Sequence, residues 1–277
     1  MTQKVWMITG ASRGIGAEIA KAVLAAGDRL VATARGEQGL EHLGNHENVF
    51  PVAMDVTNEA QVKTGVDAAL QRFGRIDVLV NNAGFGLLGA VEESSAEEVE
   101  RIFRTNVFGM LNVTRAVLPG MREQRAGHII NISSIGGLRA SAGWGVYCST
   151  KFAVEGLTEA LHDELAPLGI HATVVEPGYF RTDFLDSSSL GQTTGRIPDY
   201  AGTVGKMREF VAGRNHQQPG DPARLAQAIV HLAKATEPPL RLPLGTDTLK
   251  AIAETSAFVE RETAKWRSLA ESTDFPN

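Results

Sequence analysis

Short β-branched, apolar runs alternate with longer helical patterns along this chain, and that alternation limits the possible folds more than any other feature. Strand-like runs lie at 4–9 (KVWMIT), 29–34 (RLVATA), 48–54 (NVFPVAM), 76–81 (IDVLVN), 127–133 (GHIINIS) and 171–176 (HATVVE), with a short seventh near 240–245 (LRLPLG). Between them fall helical patterns: AEIAKAVLAAG ending at Gly27, EAQVKTGVDAALQRFG, a long one over about 95–118, one at 147–166 and a terminal one at 246–270. Strands alternating with helices pair in parallel and are covered on both faces. Right-handed crossovers then give an α/β, doubly wound Rossmann-type sheet of about seven strands. Pro51 cannot donate to a ladder on both sides, so the third run belongs at an edge.

No repeat, low-complexity segment or linker interrupts the pattern, so 1–277 reads as a single domain. A substrate loop is expected around 183–220, because residues 186–220 turn Gly/Ser/Thr-rich and weakly patterned. That stretch is too long for a plain connection; it is either a mobile functional loop or a disordered surface insertion. The region around 246–270 reads as a C-terminal helical extension.

Composition narrows the function classes. A net charge of −5 opposes a nucleic-acid partner, which demands a basic face. The one cysteine, Cys148, excludes an internal disulfide and suits a reducing, cytoplasmic setting. A strand-like run begins almost at once, which leaves no room for a signal peptide. No run of 18 apolar residues predicts a membrane span. The seven histidines are scattered without metal-site spacing, so no metal is expected.

Gly10, Gly14 and Gly16 form T-G-x-x-x-G-x-G directly between the first strand and the first helix. Glycines let a backbone approach a pyrophosphate, and the helix start offers free N–H groups and positive potential. The turn lacks the G-K-[ST] of an ATP-type loop. A site for NAD places a carboxylate at the end of the second strand; this chain has Ala34 and then Arg35. A guanidinium pairs with a 2′-phosphate and has no special use for a hydroxyl, and Ser12 and Arg13 can assist. The expected cofactor is therefore NADP(H), with NAD(H) disfavoured.

Tyr147 and Lys151 are four apart in GWGVYCSTK, on one face of a helix. A nearby ammonium stabilises phenolate, so a lowered tyrosine pKa and general acid–base chemistry are expected. YxxxK alone is common by chance. Three features add weight: Ser134 in NISS at the end of the fifth strand, NNAG (81–84) after the fourth, and Asn106 in mid-helix. Ligands bind at the carboxyl ends of parallel strands, and asparagine is a poor helix former, so a local irregularity is expected at 106.

In order and spacing, TGASRGIG, DVT (55–57), NNAG, Asn106, NISS, YCSTK and PGYFRT (177–182) resemble the short-chain dehydrogenases/reductases, in their single-domain branch. The likeness spans about 1–182. It implies that Tyr147 exchanges the proton with a carbonyl or alcohol oxygen, that Ser134 hydrogen-bonds the same oxygen, and that Lys151 binds the nicotinamide ribose. Asn106 would hold a water in a relay to Lys151. Gly10, Ser12, Arg13, Gly14, Ile15, Gly16 and Arg35 would hold the cofactor's phosphate and adenosine end. Asp55 and Val56 would flank the adenine, Asn82, Ala83 and Gly84 would line the central path, and Pro177, Gly178 and Thr182 would meet the nicotinamide end.

Substrate would rest on Ser134, Tyr147, Leu138, Trp144 and Phe180, in a pocket completed by Phe85, Leu87, Gly136, Tyr179, Phe184 and Leu185. Such walls suit an apolar ketone or alcohol; ATAR, NNAGFG and EPGYFRTDF look most like the hydroxysteroid and retinol dehydrogenase-like branch, whose relatives include broad carbonyl reductases. The implied activity is hydride transfer between NADP(H) and a carbonyl or secondary alcohol. A dinucleotide-sensing regulator of the same fold is the rival, and it would have no use for Ser134, Tyr147 and Lys151 together. Ala153, Leu157, Leu161 and Leu165 make a second apolar face on the helix at 147–166, which implies a homodimer or homotetramer.

Overall fold

A computed structural model describes residues 3–275. Seven parallel strands form one sheet: β1 (Val5–Thr9), β2 (Arg29–Ala34), β3 (Val49–Ala53), β4 (Val78–Asn81), β6 (Gly127–Ile132), β7 (Ile170–Pro177) and β9 (Arg241–Leu244), in the order β3-β2-β1-β4-β6-β7-β9. The chain steps outward from β1 through β2 to β3, then returns to β1's other side at β4. That reversal opens a crevice at the strands' carboxyl ends. Pro51 sits on the edge strand β3, as its missing N–H requires.

Alternate residues feed two cores. Trp6 and Ile8 of β1 join Ile19, Ala20 and Val23 of α1 (Gly14–Ala25) and Leu225, Ala226 and Ile229 of α7 (Pro222–Leu232). Val5 and Met7 face the other way, onto Val62 and Val66 of α2 (Glu59–Phe73) and Val113, Val117 and Met121 of α4 (Met110–Gln124). Wholly buried parallel strands of this kind carry continuous apolar runs. α5 (Gly145–Leu165) packs along β7.

The long helix expected at 95–118 is three pieces: α3 (Ala96–Phe103), a π-helical stretch Arg104–Gly109, and α4. The irregularity contains Asn106, where a wider turn frees the side chain from helical register. α4 also runs past Pro119, because Val113, Val117 and Met121, all buried against the sheet, outweigh the single lost helix bond.

Residues 186–220 hold more regular structure than their composition predicts. They contain β8 (Leu190–Gln192), which pairs in parallel with β5 (Gly86–Leu88), and α6 (Lys206–Arg214). β5 and β8 are three-residue strands without a strong sequence signal, whereas α7 did carry one, Asp221 capping Ala223 with Pro222 at the first helical position, which the strand–helix reading passed over. The terminal helix α8 (Thr246–Glu271) matches the expected extension. On α5, Leu165 is buried in the chain's own core, and Leu157 and Leu161 pack against core clusters, so much of the face expected to meet a partner is used internally. Phe108 and Phe152 are instead exposed. Among the described residues no helix is long and apolar enough to cross a membrane.

Candidate active site

One cleft of about 1190 Å³ lies over the carboxyl ends of the strands, more than a single small ligand needs. Its floor at one end is the glycine turn. Gly10 and Gly14 have φ of +67° and +57°, a region costly for side chains. Gly16 is required for a different reason: a Cβ there would stand 2.3 Å from the Gly10 carbonyl oxygen and 2.4 Å from Asn82 Nδ2. The turn is pinned from β4. Asn82 Nδ2 donates to the carbonyls of Thr9 (2.9 Å) and Gly10 (3.0 Å), while Thr9 Oγ1 accepts from the N–H groups of Asn82 and Ala83, each at 3.0 Å. Thr9 was not singled out by the sequence, though it precedes the first glycine directly.

No side chain caps the start of α1, and Gly14 and Ile15 line the cleft. Uncapped N–H groups at the positive end of a helix dipole suit a pyrophosphate. Ser12, Arg13, Arg35, Asp55, Val56, Asn82, Ala83, Gly84, Pro177, Gly178 and Thr182 also line the cleft. A dinucleotide fits this arrangement: the anion cradle, the exposed Arg35 and the far wall share one continuous cavity. Asp55 Oδ1 accepts from Thr57 N–H and Oγ1, which fixes that rim. Arg13 donates to the Ser188 carbonyl, so it ties the glycine turn to the loop before β8.

The far wall is built by α5 and the β6 end. Tyr147 and Lys151 are 7% exposed each. Lys151 Nζ donates to the Ile132 carbonyl at 2.9 Å and lies 5.7 Å from the Tyr147 ring centre. Ser134 Oγ accepts from Gly136 N–H at 3.0 Å. A Cβ on Gly136 would meet Cys148 Sγ at 3.1 Å, the Tyr147 ring at 3.4 Å and Ser134 Oγ at 3.5 Å, so a glycine keeps these groups together. Trp144 stacks edge-on to Tyr147 (5.6 Å), and Phe184 tilts against it (5.7 Å).

The expected lowering of the tyrosine pKa is not what this structure has. Burial drives the Tyr147 hydroxyl well above its ordinary value of 10.0, against an opposing hydrogen bond from Ser134. Burial also pulls Lys151 down to about 8, with the Glu155 charge opposing. Desolvation dominates at both groups because both are buried in the same wall.

Four expected residues do not line the cleft: Leu138, Leu87, Asn106 and Gly16. Leu138 follows the short turn Ile135–Gly137, and Leu87 is buried in the core beneath the wall. Asn106 is a positioning residue as seen. Its Oδ1 accepts from Phe85 N–H (3.0 Å), and its Nδ2 donates to the Phe85 carbonyl (3.0 Å) and Thr150 Oγ1 (3.1 Å). The amide is thereby committed to joining the β4 exit to α5. Gly16 likewise packs beneath the turn. Trp144, Phe180, Phe85, Gly136, Tyr179, Phe184 and Leu185 do line the cleft.

α8 contributes to the wall, which the sequence did not announce. Asp247 Oδ2 accepts from Tyr179 N–H at 2.7 Å, and a Cβ on Gly178 would stand 2.0 Å from Asp247 Oδ1. Asp247, Lys250, Ala251 and Glu254 face the cleft, and Arg139 pairs with Glu254 at 2.7 Å.

The short chain dehydrogenase family profile matches residues 4–193. The chain belongs to the short-chain dehydrogenase/reductase family. A short-chain dehydrogenase from Streptomyces avermitilis is 40% identical with a TM-score of 0.93, the likeness covering 99% of this chain and 100% of that one. Oxidoreductase BOA17 of Botryotinia fuckeliana is 39% identical over 96% of this chain and 98% of its own. The 3-ketodihydrosphingosine reductase of Bacteroides thetaiotaomicron is 38% identical over 88% and 89%. Solved structures similar to this one hold either cofactor. ElxO, 30% identical with a TM-score of 0.75, has NADP bound, and the likeness covers 90% of this chain and 100% of that one. A Brucella melitensis 3-ketoacyl-(acyl-carrier-protein) reductase, 29% identical with a TM-score of 0.71 over 87% and 96%, is complexed with NADH. This chain is thus a short-chain oxidoreductase that uses a nicotinamide cofactor on a CH–OH/C=O pair.

Proposed function

We propose that the protein is an NADP(H)-preferring carbonyl reductase or secondary-alcohol dehydrogenase for apolar substrates. The observation that carries this reading is that Ser134 Oγ and the Tyr147 ring stand side by side at Gly136, with Lys151 in the same cleft wall. When bound, the nicotinamide supplies or accepts the hydride. Ser134 and Tyr147 direct their hydroxyls at the oxygen where charge develops. Burial keeps Tyr147 protonated at neutral pH, the form that donates to a carbonyl oxygen. In the reverse direction the Lys151 ammonium, held by the Ile132 carbonyl, stabilises the phenolate.

Ala34 and Arg35 support the cofactor preference, since no carboxylate stands where a ribose hydroxyl would be held and an exposed guanidinium does. The apolar substrate class is supported by Trp144, Phe180, Phe184 and Leu185 in the wall, and by a relative named as a 3-ketodihydrosphingosine reductase. A cytoplasmic homo-oligomer joined partly through Phe108 and Phe152 completes the reading.

Tyr147→Phe tests it. Ketone-dependent NADPH oxidation should fall at least about 100-fold, while NADPH still binds by fluorescence titration. Near-normal turnover in that variant would overturn the assignment.

A further inference from the structure

Tyr147 and Lys151 are the first two of four titratable groups spaced by four along α5; Glu155 and Glu159 follow. At this spacing all four share one face. Glu155 is 5% exposed and Glu176 of β7 is fully buried. One guanidinium serves three carboxylates: Arg241 Nη1 meets Glu155 Oε2 at 2.5 Å and Glu176 Oε1 at 2.7 Å, and Nη2 meets Glu159 Oε1 at 2.5 Å. Three negative charges against one positive leave the cluster short of cations, and the next buried cation along the face is Lys151.

The oxygens left over show how the imbalance is met. Glu155 Oε1, Glu176 Oε2 and Ser133 Oγ are buried without a hydrogen-bond partner. Ser133 Oγ and Glu155 Oε1 flank one point, 2.5 and 2.6 Å from where a Cβ on Gly137 would stand. Two buried carboxylates on one cation favour holding a proton between them, with the Ser133 hydroxyl beside Glu155 Oε1 as a second donor. Ser133 immediately precedes Ser134, so the cluster adjoins the catalytic wall at both Lys151 and Ser134.

We propose that Glu155 is a positioning residue for Lys151: with Glu176 it forms a carboxyl pair, clamped by Arg241, that holds one exchangeable proton and so sets the charge that Lys151 experiences. This rests on the reading of Tyr147 and Lys151 as the proton-handling pair. The groups facing Glu155 are Lys151 and Glu159 on its own helix, Glu176 on β7 and Arg241 on β9. Burial, and after it the Glu176 charge, push the Glu155 carboxyl up to about 7, against Ser133 and Arg241. Its charge in turn raises Lys151. As Glu155 loses its proton near neutrality, it supports the Lys151 ammonium where burial alone would discharge it.

The test is the pH profile of kcat/KM for ketone reduction in wild type, Glu155→Gln and Glu155→Asp. Below about pH 6 wild type and Glu155→Gln should run parallel, because Glu155 is then uncharged in both. Above neutrality the alkaline limb of Glu155→Gln should lie about 0.5–1 pH unit lower, and Glu155→Asp should restore much of the shift. A uniform loss of rate at every pH, or an unmoved limb, would overturn the proposal. Infrared titration of wild type gives a second reading that does not depend on a variant folding. A buried carboxylic acid band should persist to about pH 7, and ionisation of all carboxyls below about pH 5 would also overturn the proposal. Tyr147→Phe separates the two readings: an inactive Tyr147→Phe with an unshifted Glu155→Gln defeats only the role of Glu155.

Discussion

Glu93→Gln removes one charge from beneath the segment that carries β8. Glu93 Oε2 accepts from Ala90 N–H at 2.9 Å, and Oε1 accepts from Ile197 N–H at 2.9 Å across 104 residues. Arg208 of α6 pairs with Oε2 at 2.6 Å and reaches Thr193 Oγ1 at 3.2 Å. The Ile197 N–H, then the Ala90 N–H and Arg208, hold the carboxyl at about 2 instead of 4.5, against the cost of burial. At about 1.36 kcal/mol per pH unit that depression corresponds to about 3 kcal/mol of folded-state stability. The side chain is only 1% exposed, yet it lies shallowly beneath a loop, and solvent screening trims the figure to about 1.5–2 kcal/mol. Glutamine keeps the shape but offers one acceptor where two N–H groups and a guanidinium need them. For a chain of this length the melting temperature at pH 7 should fall by about 3 °C.

The sign with pH is fixed by the depressed carboxyl. Its contribution is fully present above about 4.5 and is lost as pH falls toward about 2. Calorimetry of both proteins from neutral to acid pH should therefore show a gap that closes on acidification. Because Leu190 and Gly191 border the cleft wall or its core, KM for an apolar ketone should rise more than kcat falls. Equal melting temperatures at pH 7, or a gap undiminished in acid, would refute the reasoning.

Arg35→Gln should reduce the kcat/KM preference for NADPH over NADH by about one to two decades, the value of roughly 1.5–3 kcal/mol for a charge-assisted bond; an unchanged ratio places the 2′-phosphate elsewhere. Gly16→Ala should abolish cofactor binding in fluorescence titration, since its Cβ would stand 2.3 Å from the Gly10 carbonyl oxygen and backbone cannot yield cheaply. Asp247→Ala should free the start of α8 from Tyr179 N–H, a part-buried bond, read as faster amide exchange in the first turns of α8 and at 178–179, with a stability loss of about 0.5–1.5 kcal/mol. Phe152→Glu should weaken self-association in light scattering if the exposed Phe108 and Phe152 join copies of the chain.

What could be read along the chain was whatever repeats locally. Strand and helix periods are properties of adjacent residues, so the seven-stranded doubly wound sheet, the edge position of Pro51 and the terminal helix were legible. So were the glycine turn and the α5 pair, because their spacing encodes their geometry. Asn106 betrayed the π-helical stretch through its poor fit to a helix. Tertiary structure decided the rest, because burial and long-range contact have no local signature. Only packing shows that burial raises Tyr147 rather than lowering it, that Leu87 and Leu138 stay out of the cleft while Asp247 and Glu254 enter it, and that Glu155, Glu176 and Arg241, from three separate elements, meet behind Lys151.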